Sequence, residues 1–254
     1  MKIVSCFKNI RDEHDIQITS SRKLDFSAAS WMLGPYDLNA VEAAMRISSE
    51  NGAEVYALTA AGDVIDNAKQ RKAILARGPR ELYAVKDASL ENADSYAVSK
   101  VLAETIKKMG DVDLVLFGEG SGDMYAQQTG VMTGALLGWP TVNAVFAINI
   151  EGDEAVVERS TDKGLEVLRV KLPAAITVTS DINIPRIPSM KDILGAGKKP
   201  VTVWSLDDVA QAPAASSETV SILAPEEVGR EKIVYEKLDD EACAAVAAQI
   251  KKML

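Results

Sequence analysis

From residue 2 to residue 137 the chain alternates short apolar runs with stretches of helical periodicity, and this alternation leaves few folds open. Lys2 to Phe7, Val55 to Thr59, Glu81 to Val85 and Leu114 to Phe117 read as strands. Between them, Pro35 to Ser49 carries Leu38, Val41, Ala44, Met45 and Ile47 on one side, and Pro35 suits a first helical turn. A helix capped by Asp63 is expected to run to Arg77 and to stop at the breaker pair Gly78-Pro79. Another starts at Asp94 or Ser95 and ends near Met109, before Gly110. A fourth spans about Ala126 to Leu137, ahead of Trp139-Pro140. This order predicts an α/β fold: an open, mainly parallel sheet with helices on both faces.

After residue 144 the texture changes. Val145 to Ile150, Ala155 to Ser160, Leu165 to Val170 and Ala174 to Thr179 read as strands, with Gly152-Asp153 and Lys163-Gly164 as turn signals. They predict an antiparallel addition at the sheet edge. Asn183-Ile184-Pro185-Arg186-Ile187-Pro188 is too rich in proline for a helix or a central strand; Met190 to Leu194 fits one helical turn. Ala210 to Ser217 has the composition of a flexible linker. Asp239 to Leu254 reads as an amphipathic helix capped by Asp239 or Asp240, with Lys251 and Lys252 favourably placed in its last turn. The organisation expected is residues 1–209 as one α/β domain and residues 210–254 as linker and C-terminal arm. The arm's helix either docks on a partner or packs back on its own domain.

Composition narrows the function classes. Hydrophobic residues at 47% allow a sizeable core. A net charge of -9 and 5% aromatic residues argue against a nucleic-acid partner, which needs clustered cations and stacking platforms. Cys6, Cys243 and His14 are the only Cys and His residues. They cannot supply a Cys/His metal site and suggest no disulfide framework. The opening apolar run is too short for a secretory signal, and no apolar stretch reaches membrane-spanning length. The expectation is a soluble, cytoplasmic protein. His14 sits among charges and suggests no catalytic role, and no nucleophile–base–acid set stands out.

The segment richest in chemistry is Gly118 to Gly130, GEGSGDMYAQQTG. It leaves a strand and enters a helix, where open parallel sheets bind ligands. Glycines 118, 120 and 122 permit close approach of backbone to phosphate oxygens, and the next helix offers free N–H groups and a positive dipole end. Gln127, Gln128 and Thr129 add neutral donors; Asp123 either accepts from a ribose hydroxyl or fixes the loop. The spacing is neither the dinucleotide fingerprint nor a Walker loop. On spacing alone, a permissive surface loop is an equally good reading.

Several unlike motifs in fixed order resemble the beta subunits of electron-transfer flavoproteins. They are Asp123, Gln128-Thr129-Gly130 and Trp139-Pro140; Gly34-Pro35-Tyr36-Asp37 followed by Asn39-Ala40-Val41-Glu42-Ala43; and Arg77-Gly78 with Leu82. Further on come Arg159, Asp162, Gly164, Glu166 and Pro173, then Asn183, Pro185, Arg186 and Lys198-Lys199. Gly34 stands where the family has Asn, and Lys163 and Ala175 depart from its signature. The similarity covers about residues 1 to 204.

The resemblance implies an adenine-nucleotide-binding, Rossmann-like domain that acts as an electron-carrier subunit rather than as an enzyme. It implies pairing with a larger alpha subunit that holds most of the redox FAD, with AMP or a second FAD in this chain. Nucleotide contacts carried over by position are Cys6, Gly34, Pro35, Tyr36, Asp37, Ala60, Gly118, Glu119, Gly120, Ser121, Gly122, Asp123, Met124, Tyr125, Ala126, Gln127, Gln128 and Thr129. Residues 183–199 correspond to the loop that anchors partner dehydrogenases, with Asn183, Pro185, Arg186, Met190, Lys198 and Lys199 as candidate contacts. Met190 takes the anchoring position, and an acyl-CoA or related dehydrogenase is the expected partner. For Lys198-Lys199, solvated charge is the competing reading; Trp31 and Trp139 read as packing residues. An ATP pyrophosphatase would need a Ser-Gly-Gly-x-Asp-type loop where this chain has Phe7-Lys8-Asn9-Ile10-Arg11-Asp12. A stand-alone adenine-nucleotide sensor of the universal-stress type is the main alternative, although it needs neither the 183–199 loop nor the arm.

Overall fold

The apolar runs pair side by side because each is buried on both faces, the condition that parallel strands require. The computed structural model describes residues 1–209, 216–226, 229 and 232–253. Its strands are β1 (Lys2–Cys6), β2 (Asn9–Arg11), β3 (Gln17–Ile18), β4 (Leu24–Asp25), β5 (Trp31–Leu33), β6 (Glu54–Ala61), β7 (Glu81–Lys86), β8 (Leu114–Gly118), β9 (Thr141–Glu151), β10 (Glu154–Thr161), β11 (Gly164–Lys171), β12 (Ala174–Val178) and β13 (Val201–Ser205). Its α-helices are α1 (Pro35–Asn51), α2 (Ala68–Leu75), α3 (Ser95–Met109), α4 (Thr129–Leu137), α5 (Met190–Ala196) and α6 (Asp240–Met253).

Nine strands form one sheet in the order β11-β10-β9-β12-β8-β1-β6-β7-β13. From β9 to β13 all neighbours are parallel. Of the four strands expected to form an antiparallel addition, only β10 and β11 make that edge. β12 lies inside the sheet between β8 and β9 and pairs in parallel with both, because the 174–178 segment is buried on both faces. The chain winds outward from β1 through β6 and β7, then returns to β8 on the other side of β1. The winding therefore reverses between β1 and β8, and in open α/β sheets the crevice at such a reversal is where ligands bind.

Helices α1, α2 and α5 cover one face. Ala40, Ala44 and Ile47 of α1 pack on Ile3, Leu114, Leu116 and Ile176, and Ile74, Leu75 and Ala196 pack with Phe7, Ala57 and Leu82. On the other face, Leu102 and Ile106 of α3 meet Val4, Leu58, Val115 and Phe117, with α4 beside α3. Trp139 packs at the edge of this second cluster.

Three local expectations need correction. The helix expected from Asp63 to Arg77 is split into a 3-10 turn (Asp63–Asp66) and α2. Asn67 takes the cap, accepting from Lys69 N at 3.0 Å and Gln70 N at 3.4 Å. The helix expected from Ala126 starts at Thr129, because Tyr125 (φ 46°) and Gln127 (φ 56°) lie in the left-handed region. The turn at Met190 extends to Ala196, behind a capping box in which Ser189 and Asp192 bond reciprocally. Two features carried no expectation: β13, which pairs with β7, and the ribbons β2–β5 and β3–β4 between residues 9 and 33.

At the C-terminal end, residues 210–215 of the expected linker lie outside the described residues. Ser216 and Ser217 are fastened to Asp94 by bonds of 2.7–3.0 Å. Ala224 donates its N–H to Arg22 O at 2.8 Å. Asp239 caps α6 through Ala242 N at 2.9 Å, and Val246 and Ile250 on this helix are exposed.

Candidate functional site

The site is built where β1 and β8 end on either side of the reversal. Gly34 opens α1 without a side-chain cap, and Pro35 takes the first helical position. The main chain of Gly34 is tied to Lys8 O at 2.9 Å. This brings Asp37, in the first turn of α1, under both strand ends. Lys8 donates its N–H to Asp37 Oδ2 at 2.8 Å, and Gly118 donates its N–H to Oδ1 at 3.3 Å. Asp37 is only 8% exposed. Burial drives its carboxyl up to about 7, against the lowering effect of those two N–H groups and the nearby Lys8.

Gly118 must be glycine for want of space. An added Cβ would lie 2.7 Å from the carbonyl carbon of Tyr36. The chain then runs through Glu119, Gly120, Ser121 and the exposed residues Gly122 to Gln128. The loop holds itself with few contacts. Lys8 Nζ meets Asp123 Oδ2 at 2.6 Å in a half-exposed pair. The Tyr125 hydroxyl donates to Glu119 at 2.8 Å, and this bond pushes the phenol up to about 12. The rings of Tyr36 and Tyr125 stand 5.2 Å apart.

The loop delivers the chain to α4, whose cap residue Gln128 makes no side-chain capping bond. The N–H groups of the first turn thus face the loop at a positive dipole end, with Ser121, Gln127 and Gln128 beside them. Cys6 ends β1 on the α3 face; it is buried, which raises its thiol well above its ordinary range. Ala60 lies near the end of β6, two residues past Leu58, the register partner of Cys6. The donor set suits an anionic group with an uncharged adenosine: main-chain N–H groups, hydroxyls and amides beside small residues. Its one fixed cation, Lys8, is already paired.

Residues 183–199 cross the α1 face as a strap from β12 to β13. Asn183 exchanges bonds with Asn39, donating to its O at 2.9 Å and accepting at its own O at 2.8 Å. Arg186 grips buried Glu42, Nε to Oε2 at 2.6 Å and N to Oε2 at 3.2 Å. Lys199 Nζ donates to the carbonyls of Leu75, Gly78 and Pro79 at 2.7–3.0 Å, closing the end of α2. Asn183, Arg186 and Lys199 therefore hold the strap in place, while Lys198 stays exposed and Pro185 half-buried. Ile184, Ile187, Met190 and Leu194 stand 71–94% exposed. Sequence reasoning gave no role to Lys8, Asn39 or Glu42 in fastening these loops. Asn39 and Glu42 stood in a matched motif, and that was their only signal.

A cavity of about 440 Å³ lies away from this loop, lined by Arg11, Trp31, Asp63, Val64, Asn67, Ala88 and Glu91. The Arg11 guanidinium stacks 3.8 Å from the centre of the Trp31 ring. Among the described residues no group of three or more His, Cys, Asp and Glu side chains could hold a metal ion. No helix there is long and apolar enough to cross a membrane.

The fold and this edge define a Rossmann-like α/β domain with a glycine-rich loop at its topological switch point. Residues 23–209 match the electron transfer flavoprotein domain, so the chain belongs to that family. Proteins of this family are electron carriers and bind FAD. The matched region includes the loop, the strap and the β10–β11 edge, where Arg159 pairs with Glu166 at 2.8 Å.

Proposed function

We propose that this chain is the beta subunit of a heterodimeric electron-transfer flavoprotein. It holds an adenine nucleotide, either AMP or the adenosine end of a second FAD, at the switch point between β1 and β8. The observation that carries this reading is the Gly118–Gln128 segment, which leaves a parallel strand at the reversal and opens on the uncapped first turn of α4. In that arrangement the α4 N–H groups, Ser121, Gln127 and Gln128 bind the phosphate, and Cys6 and Ala60 border the adenosine. Flavin, when bound, supplies the electron chemistry, and the protein supplies position and electrostatics. The redox FAD is shared with, or held by, the larger alpha subunit.

The strap is the docking element for an acyl-CoA or related dehydrogenase. Its tip is apolar and exposed, and its ends are fixed, so little entropy is lost on docking. Met190 at the tip offers an adaptable apolar contact. The α6 helix, with Val246 and Ile250 exposed, is the arm that meets the alpha subunit.

The test is to co-express the chain with its neighbouring larger subunit and to count FAD and AMP per complex after denaturation. One FAD with one AMP fits a simple carrier; two FAD without AMP fit a bifurcating complex. No complex and no flavin would return the chain to the stand-alone sensor reading. Redox titration against candidate dehydrogenases checks the partner, and absence of electron exchange with all of them would remove it.

A further inference from the structure

The residue that joins the two sides of the crevice is Asp37, and its geometry is that of a tie. One carboxylate oxygen takes the N–H of Lys8, just past β1, and the other takes the N–H of Gly118, at the end of β8. Its own backbone belongs to the first turn of α1, and Gly34 leaves it room, since a Cβ there would lie 2.6 Å from Asp37 Oδ2. Three segments distant in sequence thus converge on one side chain at the point where the winding reverses. The carboxylate is buried beneath them, and each of its oxygens is already taken by a main-chain N–H.

We propose that Asp37 is a positioning residue for the nucleotide: it sets the separation of the β1 and β8 ends, and so the shape of the crevice, without contacting the ligand. The inference rests on the reading that an adenine nucleotide binds at this edge.

Residue chemistry explains why an aspartate serves here. Both groups that face it are N–H donors, and an ionised carboxylate only accepts. An asparagine amide would turn its own NH2 toward one of them and break one tie. A negative group in the first turn also suits the α1 dipole. The arrangement costs stability, because burial pushes the carboxyl up to about 7. The other charged or titratable groups facing it are few: Lys8, paired with Asp123, and the Cys6 thiol. Glu119 on the same loop is engaged by the Tyr125 hydroxyl. Above about pH 7 Asp37 is ionised and can accept both N–H groups. Below it, protonation weakens the tie.

This separates positioning from simple charge. A carboxylate that acted only through its field would repel phosphate, so neutralising it would tighten AMP and leave uncharged adenosine unchanged. A tie predicts the reverse. The experiment titrates the full chain, freed of nucleotide, with AMP and with adenosine at pH 6 and pH 8, as wild type and as Asp37→Asn. The expected result is that wild type binds adenosine severalfold more tightly at pH 8. Asp37→Asn should weaken both ligands by about tenfold, the loss of one hydrogen bond's worth of order, and abolish the pH difference. Wild-type adenosine binding that does not change with pH would overturn the inference even if the variant failed to fold. So would Asp37→Asn binding AMP as tightly as wild type or more so. No binding of AMP or adenosine by wild type would remove the nucleotide reading itself, and this inference with it.

Discussion

The glycine-rich loop 118–128 and the strap 183–199 are both irregular and both rich in backbone-breaking residues, yet the chain holds them in opposite ways. The strap is tied at both ends to the α1–α2 face. Asn39 and Glu42 on α1 take one end, Lys199 and buried Ala196 take the other, and a capping box stiffens the helix between them. Only its apolar tip is left free. The loop is fixed firmly at its root, where Gly118 meets Tyr36 and Asp37. Beyond that it relies on one half-exposed ion pair and on contacts with Tyr36 and Glu119. A segment whose own polar groups are satisfied is suited to present side chains. A segment that leaves main-chain donors open is suited to receive a ligand.

This contrast can be broken at its root first. Asp37 is raised from an ordinary 3.8 to about 7 in the folded state, so the native protein holds a proton that the unfolded chain has lost between those values. Its contribution to stability is complete below about pH 4 and is lost as pH rises through 7. The span is on the order of 4 kcal/mol. Urea denaturation from pH 4.5 to 8 should show Asp37→Asn losing less stability than wild type over that window. Parallel slopes would mean that the carboxyl is not buried as described.

Next in size is Gly118→Val. Its branched side chain cannot share space with the Tyr36 backbone, so a loss of about 2–3 kcal/mol is expected, with nucleotide content falling as well. Thermal unfolding and nucleotide release on denaturation measure the two effects.

Glu42→Ala attacks the strap instead. Glu42 is buried, but Arg186 is 41% exposed at its side chain and can return to water, so the cost is held to about 1–2 kcal/mol. Hydrogen exchange should rise across 183–189, with the glycine loop unaffected. A rise in both segments would show that α1 transmits strain between them.

Lys8→Met removes the half-exposed pair with Asp123 and should cost less than about 1 kcal/mol, while speeding exchange in the loop. Smallest of all in stability is Met190→Asp, because the side chain is 72% exposed. Unfolding should not shift measurably and flavin content should hold, while electron exchange with the dehydrogenase partner falls sharply. Loss of flavin in that variant would count against the strap as the docking element.

Much of this was legible from local pattern. Pro35 at a helix start, Asp94 at a cap and Gly110 after a helix end all behave as expected, because caps and breakers act on neighbours in sequence. The pattern from Asp63 predicts one helix but breaks in two because Asn67, four residues on, offers a competing cap. The α4 helix starts later than its pattern predicts because Tyr125 and Gln127 adopt positive φ, which neither residue type announces. Asn183, Arg186 and Lys199, candidate partner contacts by resemblance, also spend hydrogen bonds on α1 and α2, which no local pattern announces. Nothing in a linear sequence distinguishes a cation that faces solvent from one that closes a helix.

By itself the sequence determined the α/β alternation, the antiparallel edge, the glycine-rich exit from β8 and the apolar tip of the strap. Each follows from periodicity or residue type within a few positions. Only the tertiary structure decided that β13 lies beside β7, that the winding reverses between β1 and β8, and that Lys8, Gly34, Asp37 and Gly118 meet there. Strand order in a parallel sheet is set by packing between segments far apart in the chain. The hydrogen bonds that shape the site exist only after that packing has formed.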